Sequence, residues 1–330
     1  MTPFKSTANT MQALVKYHGL KDWKLRLPYH DSISVNTTSI GSEVVVREAR
    51  GGKGELLVAG RKNDDALRRL QGVSMRLTGK PFEELGLRLD SANFPRVDAK
   101  GLGFSSSAGA ALALALFHAV SDEEPDYTEL SRVARLFAGS ASRTVVGGFA
   151  RLYAGRGYED TYAERFADER DLPLRMVIVP LNSPVRTEDA HREVESSPFF
   201  KARIESASKR CDEMEKAIKG GDFRKVGDMT EQDTLELHSI TMTGANRLVV
   251  MSPDTVRIIT KVRELRSNSV EAYFSMQTGP SVFINTTEED QDKVRRAVSR
   301  MGYRTVLSGV GKAARIGRAG PSSDYLAPGH

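Results

Sequence analysis

The chain of 330 residues is predicted to fold as an α+β protein with two domains. β-Branched residues alternate with other types in residues 33–48 and 55–59, a pattern typical of strands. The second half of the chain instead alternates helical with strand-like segments, which is typical of helices packed on one sheet. Its length is comfortable for two such units.

The first half ends in two helices and a strand. Residues 105–120 are rich in Ala and Leu on nearly all sides, which predicts a buried helix. Asp126 and Glu129 have the spacing of a capping box and predict a second helix that runs through Phe137. A strand is predicted at residues 174–179, and a polar, proline-containing segment follows it. We place the domain boundary in that segment, which gives domains 1–182 and 183–330.

The second half opens with an amphipathic helix whose apolar residues step by three and four and stop at Gly220 and Gly221. These apolar residues are Ile204, Ala207, Cys211, Met214 and Ile218. The single cysteine, Cys211, is interpreted as a buried structural thiol. Further helices are predicted at 222–238, 254–266 and 287–301, and strands at 271–277, 281–285 and 303–307.

Composition narrows the class of protein. The chain is 39% hydrophobic and 28% charged, which is ordinary for a soluble globular enzyme. No apolar run reaches the roughly 18 residues of a membrane span, and the first residues lack the apolar stretch of a signal peptide, so a cytoplasmic location is expected. One cysteine excludes a disulfide framework and a multi-cysteine metal site. The net charge of +5 is spread without a basic block, which argues against nucleic acid and suits a small anionic substrate.

A loop of small residues, Gly101 to Gly109, leads into the Ala/Leu helix and contains Ser105, Ser106 and Ser107. Small residues let backbone N–H groups approach a phosphate, and a helix N-terminus adds partial positive charge. The same pattern also occurs in ordinary capped turns.

Two basic residues, Arg143 and Lys16, are candidates to bind an anionic substrate. Arg143 lies among small residues in the segment 138–149, where its fork of donors suits a carboxylate or phosphate. The alternative is a solvated arginine at a helix end. Lys16 lies between Val15 and Tyr17, and its alternative role is simply to extend to the surface.

Together these segments resemble the mevalonate diphosphate decarboxylase family of the GHMP kinase superfamily. Residues 14–38, with Lys16-Tyr17-His18-Gly19 and Leu27-Pro28-Tyr29-His30-Asp31-Ser32, resemble the family's N-terminal signature. The sequence of this segment is most similar to that of the archaeal phosphomevalonate and bisphosphomevalonate decarboxylases. Segments 101–109, 138–149, 186–193 and 273–282 resemble further family motifs in the family's order, so the resemblance spans nearly the whole chain.

The resemblance implies a GHMP-type fold, with an S5-like N-terminal domain, a ferredoxin-like C-terminal domain and the active site between them. It implies that Lys16 is a catalytic cation, that Arg143 binds the substrate carboxylate, and that position 277 is catalytic. The substrate-binding residues expected from it are Tyr17, His18, Tyr29, His30, Asp31, Ser32, Ser142 and His191. The phosphate loop would be formed by Gly103, Ser105, Ser106 and Ser107, and no metal ligands are expected.

Two departures from the family pattern bear on the reaction. Gln277 stands where the family has Asp, and an amide neither accepts a proton at neutral pH nor carries charge. Residues 96–100 lengthen the phosphate loop, and Phe104 occupies a position where a small residue is expected. Both departures fit an enzyme whose substrate already carries its 3-phosphate.

The sequence therefore predicts ATP-independent decarboxylation of mevalonate 3,5-bisphosphate to isopentenyl phosphate, with no cofactor. Alternatives are an ATP/Mg²⁺-dependent phosphomevalonate decarboxylase, a mevalonate 3-kinase that stops after phosphorylation, and a silent binding paralogue. Retention of Lys16 and Arg143 argues against the last two. The expected partner is a small phosphorylated mevalonate, without nucleic acid or membrane, and a homodimer is compatible with the family.

Overall fold

The computed structural model describes residues 1–97, 99–182, 185 and 187–319. The helices are α1 (Asp64–Thr78), α2 (Phe104–Val120), α3 (Tyr127–Phe137), α4 (Ala141–Val146), α5 (Thr187–Glu193), α6 (Phe200–Lys219), α7 (Phe223–Met242), α8 (Pro253–Ser267) and α9 (Glu288–Arg300). The strands are β1 (Phe4–Val15), β2 (Leu20–Asp22), β3 (Leu27–Pro28), β4 (Ser32–Glu48), β5 (Glu55–Val58), β6 (Arg61–Lys62), β7 (Leu87–Phe94), β8 (Phe149–Tyr153), β9 (Tyr162–Ala167), β10 (Arg175–Val179), β11 (Ala272–Met276), β12 (Val282–Thr286), β13 (Val306–Ser308) and β14 (Arg315–Arg318).

A large sheet is organised around the long strand β4. The strands follow the order β14-β1-β4-β7-β5-β6, and β8 pairs with the first residues of β4 and carries β9. β4 can serve both β7 and β8 because it is 17 residues long and pairs with them over different segments. Helix α2 packs on this sheet, and its buried Ala and Leu residues form the centre of the core together with α3 and α4.

The second sheet is antiparallel, with the order β11-β12-β10-β13. Helices α8 and α9 cover its apolar face, where Phe274, Ile284 and Val298 are buried. Strand β10 belongs to this sheet although it precedes the boundary predicted after residue 182, and β14 returns from the second half to pair with β1. Ser183 and Pro184, in the predicted boundary segment, lie outside the described residues, and the division at 182/183 stays a prediction.

Most elements predicted from periodicity are confirmed. The strands expected at 33–48 and 55–59 are β4 and β5, the buried helix is α2, and the helices and strands of the second half match α6 to α9 and β10 to β13. Cys211 is fully buried on the apolar face of α6. At the start of α3, Asp126 accepts a hydrogen bond from the Thr128 N–H, but Glu129 pairs with Arg132 instead of completing a capping box.

Candidate functional site

A cavity of about 610 Å³ is enclosed by the end of β1, the N-terminal turns of α2 and α4, helix α5 and the turn between β11 and β12. It brings together residues from all the motifs that the resemblance singled out. The predicted residues on its wall are Lys16, Tyr17, His18, Gly103, Ser105, Ser106, Arg143, His191 and Gln277.

Lys16 follows the last residue of β1, so its backbone is free of the sheet ladder. Its backbone N–H donates to Asp233 Oδ2 at 2.9 Å, and its carbonyl accepts from Arg203 Nη2 at 2.8 Å. The ammonium donates to Thr234 Oγ1 at 3.0 Å and lies 3.5 Å from Asp233 Oδ2. Burial lowers the pKa of Lys16 to about 8, against the opposing effect of Asp233. The side chain is therefore mainly protonated at neutral pH.

Arg143 is 2% exposed and reaches the cavity from α4. Its Nε and Nη1 have no hydrogen-bond partner among the residues that the structure describes. Burial lowers the pKa of Arg143 to about 10, so the guanidinium stays charged at neutral pH. Buried donors without acceptors are rare because they lose their hydration without compensation. Because two donors stay unpaired, the positive charge that Arg143 brings to the cavity is only partly compensated, which suits an anionic ligand.

Tyr17 forms the wall beside Arg143, whose guanidinium carbon lies 5.5 Å from the centre of the ring. The phenol hydroxyl reaches the backbone of Gly139, where an added Cβ would lie 2.0 Å from the oxygen. Glycine is required at 139 for this close approach. The small residues around Arg143 thus shape the cavity wall.

Two serines in this motif differ in orientation. Ser142, the predicted substrate ligand, is fully buried and donates to the Gly139 carbonyl at 2.7 Å. Ser140 instead lines the cavity. Both lie in the segment quoted from the sequence, but only the fold of the first turn of α4 decides which hydroxyl faces the ligand.

The phosphate loop uses its serines in three ways. Ser105 is exposed on the cavity wall. Ser106 also lines the cavity, and its hydroxyl donates to the Gly103 carbonyl at 2.5 Å. Ser107 is fully buried and shares a 2.7 Å hydrogen bond with Ser42, so its role is structural. Of the three predicted serines, Ser105 is the one best placed for a phosphate.

The loop is also joined to the second sheet. Gly101 has φ +80°, and a Cβ there would lie 2.9 Å from the Gly279 Cα. Ser281 Oγ donates to the Lys100 carbonyl at 2.5 Å, and the Lys100 N–H donates to the Leu181 carbonyl at 2.9 Å. The loop and the β11–β12 turn therefore meet backbone to backbone.

Two histidine rings, His18 and His191, stand 4.5 Å apart between centroids on the cavity wall. Nε2 of His18 shares a 3.0 Å hydrogen bond with Thr278 Oγ1, while Nδ1 of each ring has no partner among the described residues. Burial lowers the pKa of His18 well below its usual value and that of His191 to about 4. Both rings are neutral at pH 7 and offer polar nitrogens without added charge.

The side-chain amide of Gln277 hydrogen-bonds to the backbone of strand β1. Its Oε1 accepts from the Ala13 N–H at 3.0 Å, and its Nε2 donates to the Ala13 carbonyl at 3.4 Å. Only a group with both a donor and an acceptor can satisfy the two. Gln277 thereby fixes the end of β11 to β1, three residues before Lys16.

Four residues predicted to bind substrate are engaged elsewhere. Tyr29 packs edge-on against Phe200, and Nδ1 of His30 contacts the Asp31 carbonyl at 2.6 Å. The Asp31 carboxylate pairs with Arg151 at 2.7 Å, and Ser32 is fully buried at the start of β4. None of these four side chains belongs to the wall of the cavity as described, so their predicted contact with the substrate has no support in the geometry.

Several cavity residues escaped sequence reasoning. Arg26, Arg69 and Lys100 contribute positive charge to the wall. Arg69 pairs with two carboxylates of the wall, Glu188 at 2.7 Å and Asp65 at 2.9 Å. Arg26 and Lys100 lie beside quoted motifs and could have been found from that proximity, whereas Arg69 on α1 offers no local signal.

In the described part of the chain, no group of three or more His, Cys, Asp or Glu side chains is placed to hold a metal ion. Among the same residues, no helix is both long and apolar enough to cross a bilayer.

Comparisons with known proteins identify the family of the chain. Residues 8–163 match the model of the diphosphomevalonate decarboxylase-like N-terminal domain, and residues 185–309 match the mevalonate 5-diphosphate decarboxylase C-terminal domain. The chain is 37% identical to phosphomevalonate decarboxylase of Haloferax volcanii, over 94% of this chain and 96% of that one. It is 27% identical to mevalonate 3,5-bisphosphate decarboxylase of Thermoplasma acidophilum, over 83% and 68%.

Solved structures show the same fold. Mevalonate diphosphate decarboxylase from Staphylococcus aureus superimposes with a TM-score of 0.85 at 26% identity, covering 96% of this chain and 98% of that one. MDDEF, solved in complex with MVAPP, AMPPCP and magnesium, gives a TM-score of 0.82 at 24% identity, with 96% and 99% covered. The GHMP-type α+β fold is thus confirmed. With both halves matched by family models, the chain belongs to the diphosphomevalonate decarboxylase-like family.

Proposed function

We propose that this protein decarboxylates mevalonate 3,5-bisphosphate to isopentenyl phosphate without ATP. The observation that carries the proposal is Arg143, a buried cation with two unpaired donors that shares a cavity with Lys16. Such a pair suits a substrate with a carboxylate at one end of the reacting unit and a phosphate at the other.

The reaction needs charge stabilisation more than proton transfer. The bond between C3 and the phosphate oxygen breaks, and the oxygen leaves with the electron pair as inorganic phosphate. The C1–C2 bond then supplies the electrons of the new C2=C3 double bond, and C1 leaves as CO₂. Arg143 would hold the carboxylate, and Lys16 with Ser105 would stabilise the departing phosphate. Removal of one preorganised donor of this kind typically lowers a rate by about 10²–10³.

Gln277 fits this chemistry because the 3-oxygen already carries phosphate and needs no base. Its amide is committed to the backbone of Ala13 and supplies no charge at the reacting centre. The remaining cavity cations, Arg26, Arg69 and Lys100, and the neutral His18–His191 pair are available for the 5-phosphate.

A second candidate is ATP- and Mg²⁺-dependent decarboxylation of mevalonate 5-phosphate, which gives the same product. It is favoured by the 37% identity to the Haloferax phosphomevalonate decarboxylase over nearly the full length of both chains. Under this candidate Ser105, exposed at the start of α2, would meet a nucleotide phosphate. Mg²⁺ usually binds through substrate phosphates and one or two carboxylates. Among the described residues, the carboxylates on the cavity wall are Asp65 and Glu188, both paired with Arg69.

The decisive experiment incubates purified protein with mevalonate 5-phosphate or the 3,5-bisphosphate, each with and without ATP and Mg²⁺. We expect isopentenyl phosphate and CO₂ from the bisphosphate alone, and no turnover of the monophosphate under either condition. Product that forms only from the monophosphate with ATP would replace the first candidate by the second.

Substitutions at position 277 separate charge from length. Gln277→Asp adds a carboxylate near the phosphate, where two unit charges about 4 Å apart repel by roughly 4 kcal/mol at an effective dielectric of 20. Gln277→Asn is the matched control, since the Asn side chain is as short as that of Asp but carries no charge. We expect Asp to slow the bisphosphate reaction far more than Asn. Faster turnover with Asp would contradict an uncharged role for this position.

A further inference from the structure

The Lys16 ammonium faces a buried charge cluster that the motifs do not contain. Helix α7 contributes Asp233, which is fully buried, and helix α6 contributes Arg203 and Arg210. Asp233 Oδ1 accepts from Arg203 Nη2 at 2.6 Å and from Arg210 Nη1 at 3.1 Å. Its other oxygen, Oδ2, accepts from the Lys16 N–H and lies 3.5 Å from the Lys16 ammonium.

The two oxygens of the Asp233 carboxylate therefore have different partners. One oxygen is held by two arginines, which fixes the orientation of the carboxylate plane. The other oxygen is left for Lys16, at both the backbone and the side chain. Thr234 on the next position of α7 holds one ammonium N–H at 3.0 Å, and its own hydroxyl donates to the Thr230 carbonyl at 2.8 Å. A lysine ammonium has three donors, so a further N–H stays available for the cavity.

We infer that Asp233 is the positioning residue of Lys16, which aims the ammonium at the leaving phosphate and keeps it protonated. The inference rests on the proposed function in that it takes Lys16 as the reacting cation. Asp233 itself is fully buried and does not line the cavity as described, so it acts through Lys16 and not on the substrate.

The charge balance around Lys16 explains why a buried carboxylate is needed there. Desolvation favours the neutral amine, and the two arginines act in the same direction. Asp233 opposes them. In the part of the chain that the structure describes, the titratable groups that face Lys16 are Asp233 and His238 of α7, Arg203 and Arg210 of α6, and the neighbouring His18. Both histidines have pKa values lowered by burial and stay neutral at pH 7. Asp233 therefore supplies the negative charge that lies closest to the ammonium.

The test compares two substitutions whose effects on Lys16 have opposite signs. Asp233→Asn removes the negative charge and leaves the arginines, so the alkaline limb of kcat should move from about pH 8 to lower pH by about one unit or more. Arg210→Gln removes a positive charge, so the limb should move to higher pH. Asp233→Glu, which keeps the charge, should restore the limb toward its original position.

Glu231→Gln is the matched control for general damage to α7. Glu231 is buried two residues before Asp233 and is paired with Arg266 at 2.8 Å and with the Phe274 N–H at 2.9 Å. Its loss should lower stability without moving the limb. If Asp233→Asn and Glu231→Gln lower activity alike with unchanged pH profiles, Asp233 is merely structural.

A second measurement does not depend on turnover. Competitive acetylation with acetic anhydride across a pH series, followed by peptide mass spectrometry, gives the pKa of the Lys16 amine directly. We expect that pKa to fall in Asp233→Asn and to rise in Arg210→Gln. Unchanged values would overturn the inference even if isopentenyl phosphate forms. If no product forms but the pKa values shift as expected, the proposed function fails and the coupling of Asp233 to Lys16 stands.

Discussion

Replacement of Arg143 by Met should lower activity strongly without lowering the free energy of unfolding. The guanidinium is buried, and two of its donors lack partners among the described residues, so the folded state retains an uncompensated desolvation cost. A buried unsatisfied donor costs about 1–3 kcal/mol, and apolar replacement of a buried charge is often neutral or stabilising. We therefore expect Arg143→Met to leave the free energy of unfolding unchanged or to raise it by about 1–3 kcal/mol. Activity should fall by about 10² or more, because the carboxylate loses its charged partner.

Arg135 on α3 provides the matched control. It is also fully buried, but its Nη1 donates to the Leu25 carbonyl and its Nη2 to the Tyr158 carbonyl at 3.1 Å. Arg135→Met leaves both carbonyls without these donors and should destabilise by about 2–4 kcal/mol, at roughly 1–2 kcal/mol per lost partner.

Urea unfolding of both variants, with decarboxylation measured below the transition, gives the comparison. The reasoning is refuted if Arg143→Met destabilises as much as Arg135→Met, since Arg143 would then be a structural cation. Addition of substrate should raise the unfolding midpoint of the wild type and not that of Arg143→Met.

Three further predictions concern the cavity wall. Lys16→Met should give a folded protein with less than about a tenth of the wild-type kcat, which corresponds to about 1.4 kcal/mol of barrier; steady-state assays check this, and a smaller loss would remove Lys16 from the reaction. Ser140→Ala should raise KM, whereas Ser142→Ala should lower the free energy of unfolding by about 1 kcal/mol with KM unchanged; the reverse result would restore Ser142 as the ligand. Gly101→Ala should lower both activity and thermal stability, because the residue has positive φ and no room for a Cβ, and a wild-type melting curve would contradict this close contact.

The sequence predicted the elements whose apolar periodicity is strong and whose motifs are local. Helices α2 and α6 and strands β4 and β10 are of this kind. Strand β1 shows no alternation of apolar and polar residues from which a strand could be predicted, because its buried positions include the polar residues Ser6, Asn9, Thr10 and Gln12. Helix α1 is not among the elements predicted from the sequence, although Leu67, Leu70, Val73 and Leu77 step by three and four along it and pack in the core.

The candidate site was predictable where one motif carries the residue. Lys16, Arg143 and Gln277 were found because their neighbours in sequence identify them. Asp233 was missed because it lies 217 positions from Lys16, and only the packing of α7 against the end of β1 brings the two together. The orientation of neighbouring hydroxyls, such as Ser140 against Ser142, likewise depends on the local turn and not on residue type.

The contact between Gly101 and Gly279 has a consequence for exchanging parts with relatives. Because neither residue carries a side chain, the two backbones approach closely, and a Cβ at Gly279 would lie 2.6 Å from the Gly101 N. A side chain at either position would therefore collide with the backbone at the other, so both positions have to be glycine for this contact to form. Consider a chimera that takes the phosphate loop from one family member and the β11–β12 hairpin from another. Its cavity would close only if the loop has glycine at position 101 and the hairpin has glycine at position 279. Compatibility at this point, more than overall identity, should decide which chimeras are active.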